Sequence, residues 1–168
     1  MAIRAIRGYR TVSHAAATLL AGMPPVEIMA AAYTRMYDRA ADLKAGGAKI
    51  TPRVRRLLSL QVKREAREEW RTWLEDPSRA GQRTLQAILP RLEEWLDRPW
   101  ARASFRTTQV LTGHGCFGGY LHRIGRERTT QCHHCEEAED SAQHTLEAVL
   151  PTSHLCTAVE RVEGVEWG

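Results

Sequence analysis

The sequence predicts an all-α fold, an irregular bundle of about six or seven helices with a small Cys/His loop at its C-terminal end. Three observations predict it. Val54, Leu57, Leu58, Val62, Ala66, Trp70 and Trp73 recur at helical spacing between a Thr51–Pro52 start and a Pro77 stop. No stretch alternates apolar and polar residues over the length of a strand. Cys132 and Cys135 are separated by two residues, the spacing of a tight turn, and His144 follows after eight more.

Taken in order, Ser13 is the expected N-cap of a short helix through Leu20 and Ala21, stopped by Gly22 and the Pro24-Pro25 pair. A second helix starts near Pro25 and runs to about Ala45. Its expected buried stripe is Ile28, Ala31, Ala32, Met36 and Leu43, and Gly46-Gly47 ends it. The third helix is the one described above, capped by Thr51. A loop follows over Pro77-Ser78-Arg79-Ala80-Gly81. Thr84 to Asp97 reads as a helix broken at Pro90, with Leu85, Ile88, Leu89, Leu92, Trp95 and Leu96 inward and Pro99 beyond its end. Phe105–Leu111 is a further helix whose end Gly113 and Gly115 force, and Phe117–Ile124 another that Gly125 ends.

The net charge of +4 conceals an asymmetry. Residues 1–131 hold 23 Lys and Arg against 12 Asp and Glu, whereas residues 132–168 hold one arginine against eight acids. A basic body suits a polyanionic partner, RNA or DNA; the acidic end does not. Within the third helix, Arg53, Arg55 and Arg56 have no acid near them in sequence and are the leading candidates for contact with a nucleic-acid backbone. Lys63 through Arg71 alternate with Glu65, Glu68 and Glu69, which fits a solvated, internally paired face as well as it fits a ligand, and Lys63 is retained as a candidate. Arg102, Arg106, Arg123 and Arg126 surround the glycine corner at 113–119 and form a second candidate surface. The glycines there serve a tight interhelical corner, or let backbone amides approach a phosphate.

Two thiolates on one turn and a later imidazole are soft donors at the spacing of a small zinc loop. Cys132, Cys135 and His144 are the ligand candidates, with zinc the expected metal. A tetrahedral site needs a fourth donor. Cys156 is preferred; His154, or one of His133 and His134, are the alternatives, and a loop that has lost its metal is the remaining reading. Four cysteines and no secretory signal point to a reducing, intracellular compartment, nuclear or cytoplasmic. No apolar run is long enough to cross a membrane. No G-x-x-x-x-G-K phosphate loop and no serine nucleophile elbow is present, and neither a small-molecule substrate nor catalysis is expected.

Several of these stretches together resemble non-LTR retrotransposon reverse transcriptases, especially those of arthropods, in the region downstream of the polymerase. The matching residues are Thr108-Gln109-Val110-Leu111-Thr112-Gly113-His114-Gly115, then Tyr120-Leu121-His122-Arg123-Ile124-Gly125, then the Cys132–Cys135 knuckle and Gln143-His144-Thr145-Leu146-Glu147. Arg7-Gly8-Tyr9-Arg10-Thr11-Val12-Ser13, Leu20-Ala21-Gly22 and Pro24-Pro25 are similar to the segment that follows the polymerase thumb. The family carries a further knuckle cysteine after the histidine; Val149 stands there in this chain.

The resemblance implies a truncated piece of an RNA-directed DNA polymerase that copies its RNA template onto a nicked chromosomal target, this region gripping RNA or target DNA. The paired aspartates of a Tyr-x-Asp-Asp turn are not found in the chain, so it is not expected to be an enzyme. The expected organisation is a basic helical domain over residues 1–128, a degenerate zinc-knuckle-like segment over 129–151 and a poorly ordered acidic tail over 152–168. Two rival readings are a retroelement relic that folds only in part, and a small protein-interaction module using the Trp-rich helices.

Overall fold

Helix starts and stops fall where side-chain chemistry puts them. In the computed structural model of the chain, which describes residues 1–98, 104–135 and 137–149, the first helix is a single turn, α1 (Ala2–Ala5), with no capping side chain at its start. Ser13 then opens α2 (His14–Ala21), its hydroxyl accepting the Ala16 N–H at 3.2 Å, and Gly22 closes it at φ 62°. Pro25 precedes α3 (Val26–Ala45). The Thr51 hydroxyl accepts the Val54 N–H at 3.3 Å to begin α4 (Pro52–Leu74), with Pro52 in its first turn. Gly81, at φ 96°, starts α5 (Gln82–Ile88); the break expected at Pro90 is a 3₁₀ turn over Leu89–Arg91, followed by α6 (Leu92–Leu96). Ser104 caps α7 (Phe105–Thr112), and Gly113, at φ 69°, ends it. After α8 (Gly118–Arg123) the chain loops back to a last short helix, α9 (Ala142–His144), which continues as a π-helical turn over Thr145–Val149. Among the described residues the fold is all-helical, with no strand.

The core forms where α2 threads between the other elements. Ala15, Ala16, Ala17, Leu19 and Leu20 of α2 are buried with Ile6, Val12, Trp70, Leu74, Leu85, Ile88 and Leu92. Polar groups lock the edges: Trp95 Nε1 donates to the Leu19 carbonyl at 3.1 Å, and Thr84 Oγ1 donates to the Leu111 carbonyl at 3.0 Å. A Cβ at Gly81 would collide with the Ser13 hydroxyl, which itself donates to the Ala80 carbonyl at 2.8 Å; the loop before α5 is seated directly on the start of α2.

α3 and α4 pack side by side along a narrow seam of Ala32, Val62 and Ala66, with Ile28 and Met36 beside it. The stripes expected from periodicity are wider than the seam. Ala31 and Leu43 on α3 and Leu57 on α4 are exposed. Small residues let the two helices approach closely, and only side chains on that line are then covered. Cross-helix ion pairs flank it, Arg35–Glu69 at 2.8 Å and Arg39–Glu65 at 3.0 Å. No single helix among the described residues is long and apolar enough to cross a membrane.

Candidate metal centre and nucleic-acid surfaces

Hydrogen bonds within the Cys132–His144 segment set its shape. Cys132 N donates to the Glu137 carbonyl at 2.9 Å, closing a turn that carries Cys135, and His134 N donates to Cys132 Sγ at 3.4 Å. Ser141 caps α9, accepting the His144 N–H at 3.1 Å. This brings Cys132, Cys135 and His144 together, their donor atoms all within 4.8 Å of one another and Cys135 Sγ 3.1 Å from His144 Nε2. Donors in a tetrahedral zinc site stand about 3.5–3.8 Å apart, so the Cys135–His144 pair would open slightly to seat a zinc ion among the three. His133 and His134 are exposed and outside the group. Cys156 and His154, the other candidates for a fourth ligand, lie outside the described residues. The donor set is therefore Cys2His among the described residues, soft enough for zinc and one donor short of a closed structural site.

The Cys135 thiol sits above its ordinary range. A Glu137 backbone hydrogen bond pulls it down, but desolvation and the neighbouring Cys132 sulfur together outweigh that pull. A divalent cation between the two sulfurs would reverse the balance by favouring thiolate.

The knuckle is clamped to the body through Asp140, a residue that the sequence did not single out. Its carboxylate accepts the Gly118 N–H at 2.8 Å, its N–H donates to the Thr130 carbonyl at 2.7 Å, and its carbonyl accepts the Gly119 N–H at 2.9 Å. Gly118 is glycine for space: a Cβ there would lie 3.0 Å from the Thr130 carbonyl oxygen. Arg83 adds a second tie, Nε donating to the Val110 carbonyl at 3.0 Å and a terminal nitrogen reaching Gln143 Oε1 at 3.4 Å. At the glycine corner, His114 lies 4.9 Å, centroid to centroid, from the Tyr120 ring. Its Nδ1 is buried with no hydrogen-bond partner among the described residues. Burial, and after it the charge of Arg123, holds this imidazole below its ordinary range. No contact among the described residues joins His114 to Cys116 as base and nucleophile.

The basic candidates divide by their partners. On α4, Arg64 pairs with Glu68 at 3.8 Å, Arg67 with Glu93 and Asp97 at 2.8 Å each, and Arg71 with Glu93 at 3.8 Å. Arg53, Arg55, Arg56 and Lys63 are exposed and form no ion pair among the described residues. Around the corner, Arg106 and Arg126 are exposed and equally unpaired there, and the Arg123 guanidinium lies over the Tyr120 ring at 5.3 Å. Arg102 lies outside the described residues. Between α3 and α4 a separate groove of about 320 Å³ is lined by Met29, Tyr33, Met36, Val62, Trp70 and Leu96.

Among the described residues the chain is thus of a helical class, with exposed cations outside any ion pair and a Cys2His knuckle clamped beside its glycine corner. The chain is similar to the Retrovirus-related Pol polyprotein from type-1 retrotransposable element R1 4 of Nasonia vitripennis, 30% identical over 146 residues, covering 84% of this chain and 37% of that protein. It is of non-LTR retrotransposon origin, as the resemblance in its sequence indicates, and spans little more than a third of the relative's length. No family model and no solved structure matches it.

Proposed function

We propose that this chain is a nucleic-acid-binding part of a retrotransposon Pol polyprotein, one that grips RNA or DNA and does no polymerase chemistry of its own, in a reducing, intracellular setting. The observation that carries the reading is the division along α4. Arginines with a carboxylate partner are neutralised in place, whereas Arg53, Arg55 and Arg56 present three charges uncompensated among the described residues, from one end of a rigid helix. Cations without partners keep their full field for phosphate, and binding would release condensed counterions. The relative is a Pol polyprotein by name, which supports the same reading. Zinc at Cys132, Cys135 and His144 would supply no chemistry beyond tying α9 to the knuckle turn.

Anisotropy titrations of the purified chain with single-stranded RNA and duplex DNA test this. Affinity should fall steeply between about 50 and 200 mM salt with little sequence preference. A purified chain that extends a primer would contradict the assignment of binding without catalysis. One observation favours the rival protein-interaction reading, the apolar groove between α3 and α4, with Tyr33 exposed at its rim. Under that reading nucleic-acid affinity is negligible at every salt concentration.

A further inference from the structure

A second cleft, of about 410 Å³, opens on the opposite kind of chemistry from the α3–α4 groove. Its lining combines three aromatic rings, Tyr9, Phe105 and Tyr120, with three arginines, Arg7, Arg10 and Arg126, and it contains no acid. The rings form one connected surface: Tyr9 is 6.0 Å from Phe105 and 5.7 Å from Tyr120, centroid to centroid. Hydrogen bonds hold the walls in place from three directions. Thr108 Oγ1 donates to the Ile6 carbonyl at 3.0 Å, Gln109 Nε2 donates to Tyr9 Oη at 3.3 Å, and Thr11 Oγ1 bonds Tyr120 Oη at 2.9 Å. The cleft is thus built before any ligand arrives.

Two features show that this lining is not ordinary core. Phe105 is 40% exposed, a large ring left open at the mouth of a cleft that has room to cover it. Arg7 adopts φ 52°, the left-handed region where glycine is favoured and where a long side chain carries a cost. The turn is closed by the Gly8 N–H donating to the Ile3 carbonyl at 3.0 Å, so the backbone holds Arg7 in that conformation. Glycine at position 7 would satisfy the same turn without strain; what arginine adds is a guanidinium at the rim. None of Arg7, Arg10 and Arg126 forms an ion pair among the described residues.

We propose that this cleft receives one unstacked nucleotide of a single-stranded polynucleotide, the base lying against the Phe105–Tyr9 rings and the flanking phosphates meeting Arg7, Arg10 and Arg126. The inference rests on the nucleic-acid reading above and sharpens it from backbone contact to a seat for a base. Stacking is available to every base and is not sequence-selective, while a paired base inside a duplex cannot enter. The volume lies in the range of small-ligand sites, about 300–1,000 Å³.

The test uses anisotropy titrations with an RNA oligomer, a DNA oligomer of the same sequence and the corresponding DNA duplex. The full chain is compared with Arg7→Gly, Phe105→Ala, Arg126→Gln and the triple variant Arg53→Ala/Arg55→Ala/Arg56→Ala. Phe105→Ala should lose about ten-fold in affinity for single strands and less than about two-fold for duplex. Arg7→Gly and Arg126→Gln should each lower the single-strand salt slope by about one. The thermal midpoint of Arg7→Gly should be no lower than the parent's, because glycine relieves the turn. Tighter binding of the RNA or of the DNA oligomer names the sugar that the cleft takes. Unchanged single-strand affinity in Phe105→Ala and Arg7→Gly, with binding still weakened in the triple variant, would overturn the cleft and leave the α4 surface standing. Equal losses on single strands and duplex would also overturn it, as would a parent that binds no nucleic acid, which sinks both readings together.

Discussion

The carboxylate of Asp140 accepts the backbone N–H of Gly118 at 2.8 Å, across a sequence separation of 22. This bond, with the two backbone bonds that Asp140 also makes, fixes the Cys2His knuckle against the first turn of α8. Asp140→Ala should therefore cost about 1–3 kcal/mol in urea denaturation, the penalty for leaving a buried N–H without a partner. Asp140→Asn keeps an acceptor in place and should lose less. Equal stability of Asp140→Ala and the parent would mean that the knuckle is held by something other than this clamp.

If Cys132, Cys135 and His144 hold zinc, they should do so as a three-ligand centre unless residues beyond 149 complete it. Cys132→Ser or Cys135→Ser should lower zinc affinity by more than about 100-fold, beyond the effect of losing a supporting residue around a metal site. Val149→Cys restores a donor to the family position and should raise affinity, since valine has no lone pair to offer. Cys156→Ala lowers affinity if the chain beyond 149 folds back to the metal. Competition against a chromophoric chelator reads all four variants. A parent that takes up no zinc would remove the site.

His114 makes stability sensitive to pH in a definite direction. Its folded-state pKa is depressed, by burial first and by Arg123 second, so the unfolded chain takes up the proton more readily. The neutral ring's contribution is fully present above the unfolded value of about 6.5 and is lost as pH falls below it. Between pH 7 and pH 5 the parent's thermal midpoint should fall more than that of His114→Phe, which keeps a ring beside Tyr120. Parallel pH profiles for the two proteins would contradict this.

Much of the fold is written in single residues whose chemistry is local. Ser13, Thr51 with Pro52, Gly22, Gly113 and Pro90 each act on their own backbone, and each produces the start, stop or break expected of it. Burial along α3 and α4 was less legible. Periodicity marks a face but not the width of what covers it, so Ala31, Leu43 and Leu57 read as core and stand in solvent. The Cys132, Cys135 and His144 trio was legible because ligand spacing is local too. Asp140 was not, being one acid in an acidic run until the fold buries it beside Gly118. Nor was the gathering of Arg7 and Arg10 with Arg126, which lie far apart in sequence and are brought together by the Thr108–Ile6, Gln109–Tyr9 and Thr11–Tyr120 bonds.

Arg53, Arg55 and Arg56 have no carboxylate partner among the described residues, which leaves them for phosphate under the proposed function. The most direct measurement is the slope of log affinity against log salt for duplex DNA, in the parent and in Arg53→Ala/Arg55→Ala/Arg56→Ala. Each phosphate contact contributes about 0.9 to that slope, so the triple variant should flatten it by up to about three units. An identical slope and an identical affinity in the two proteins would contradict the account.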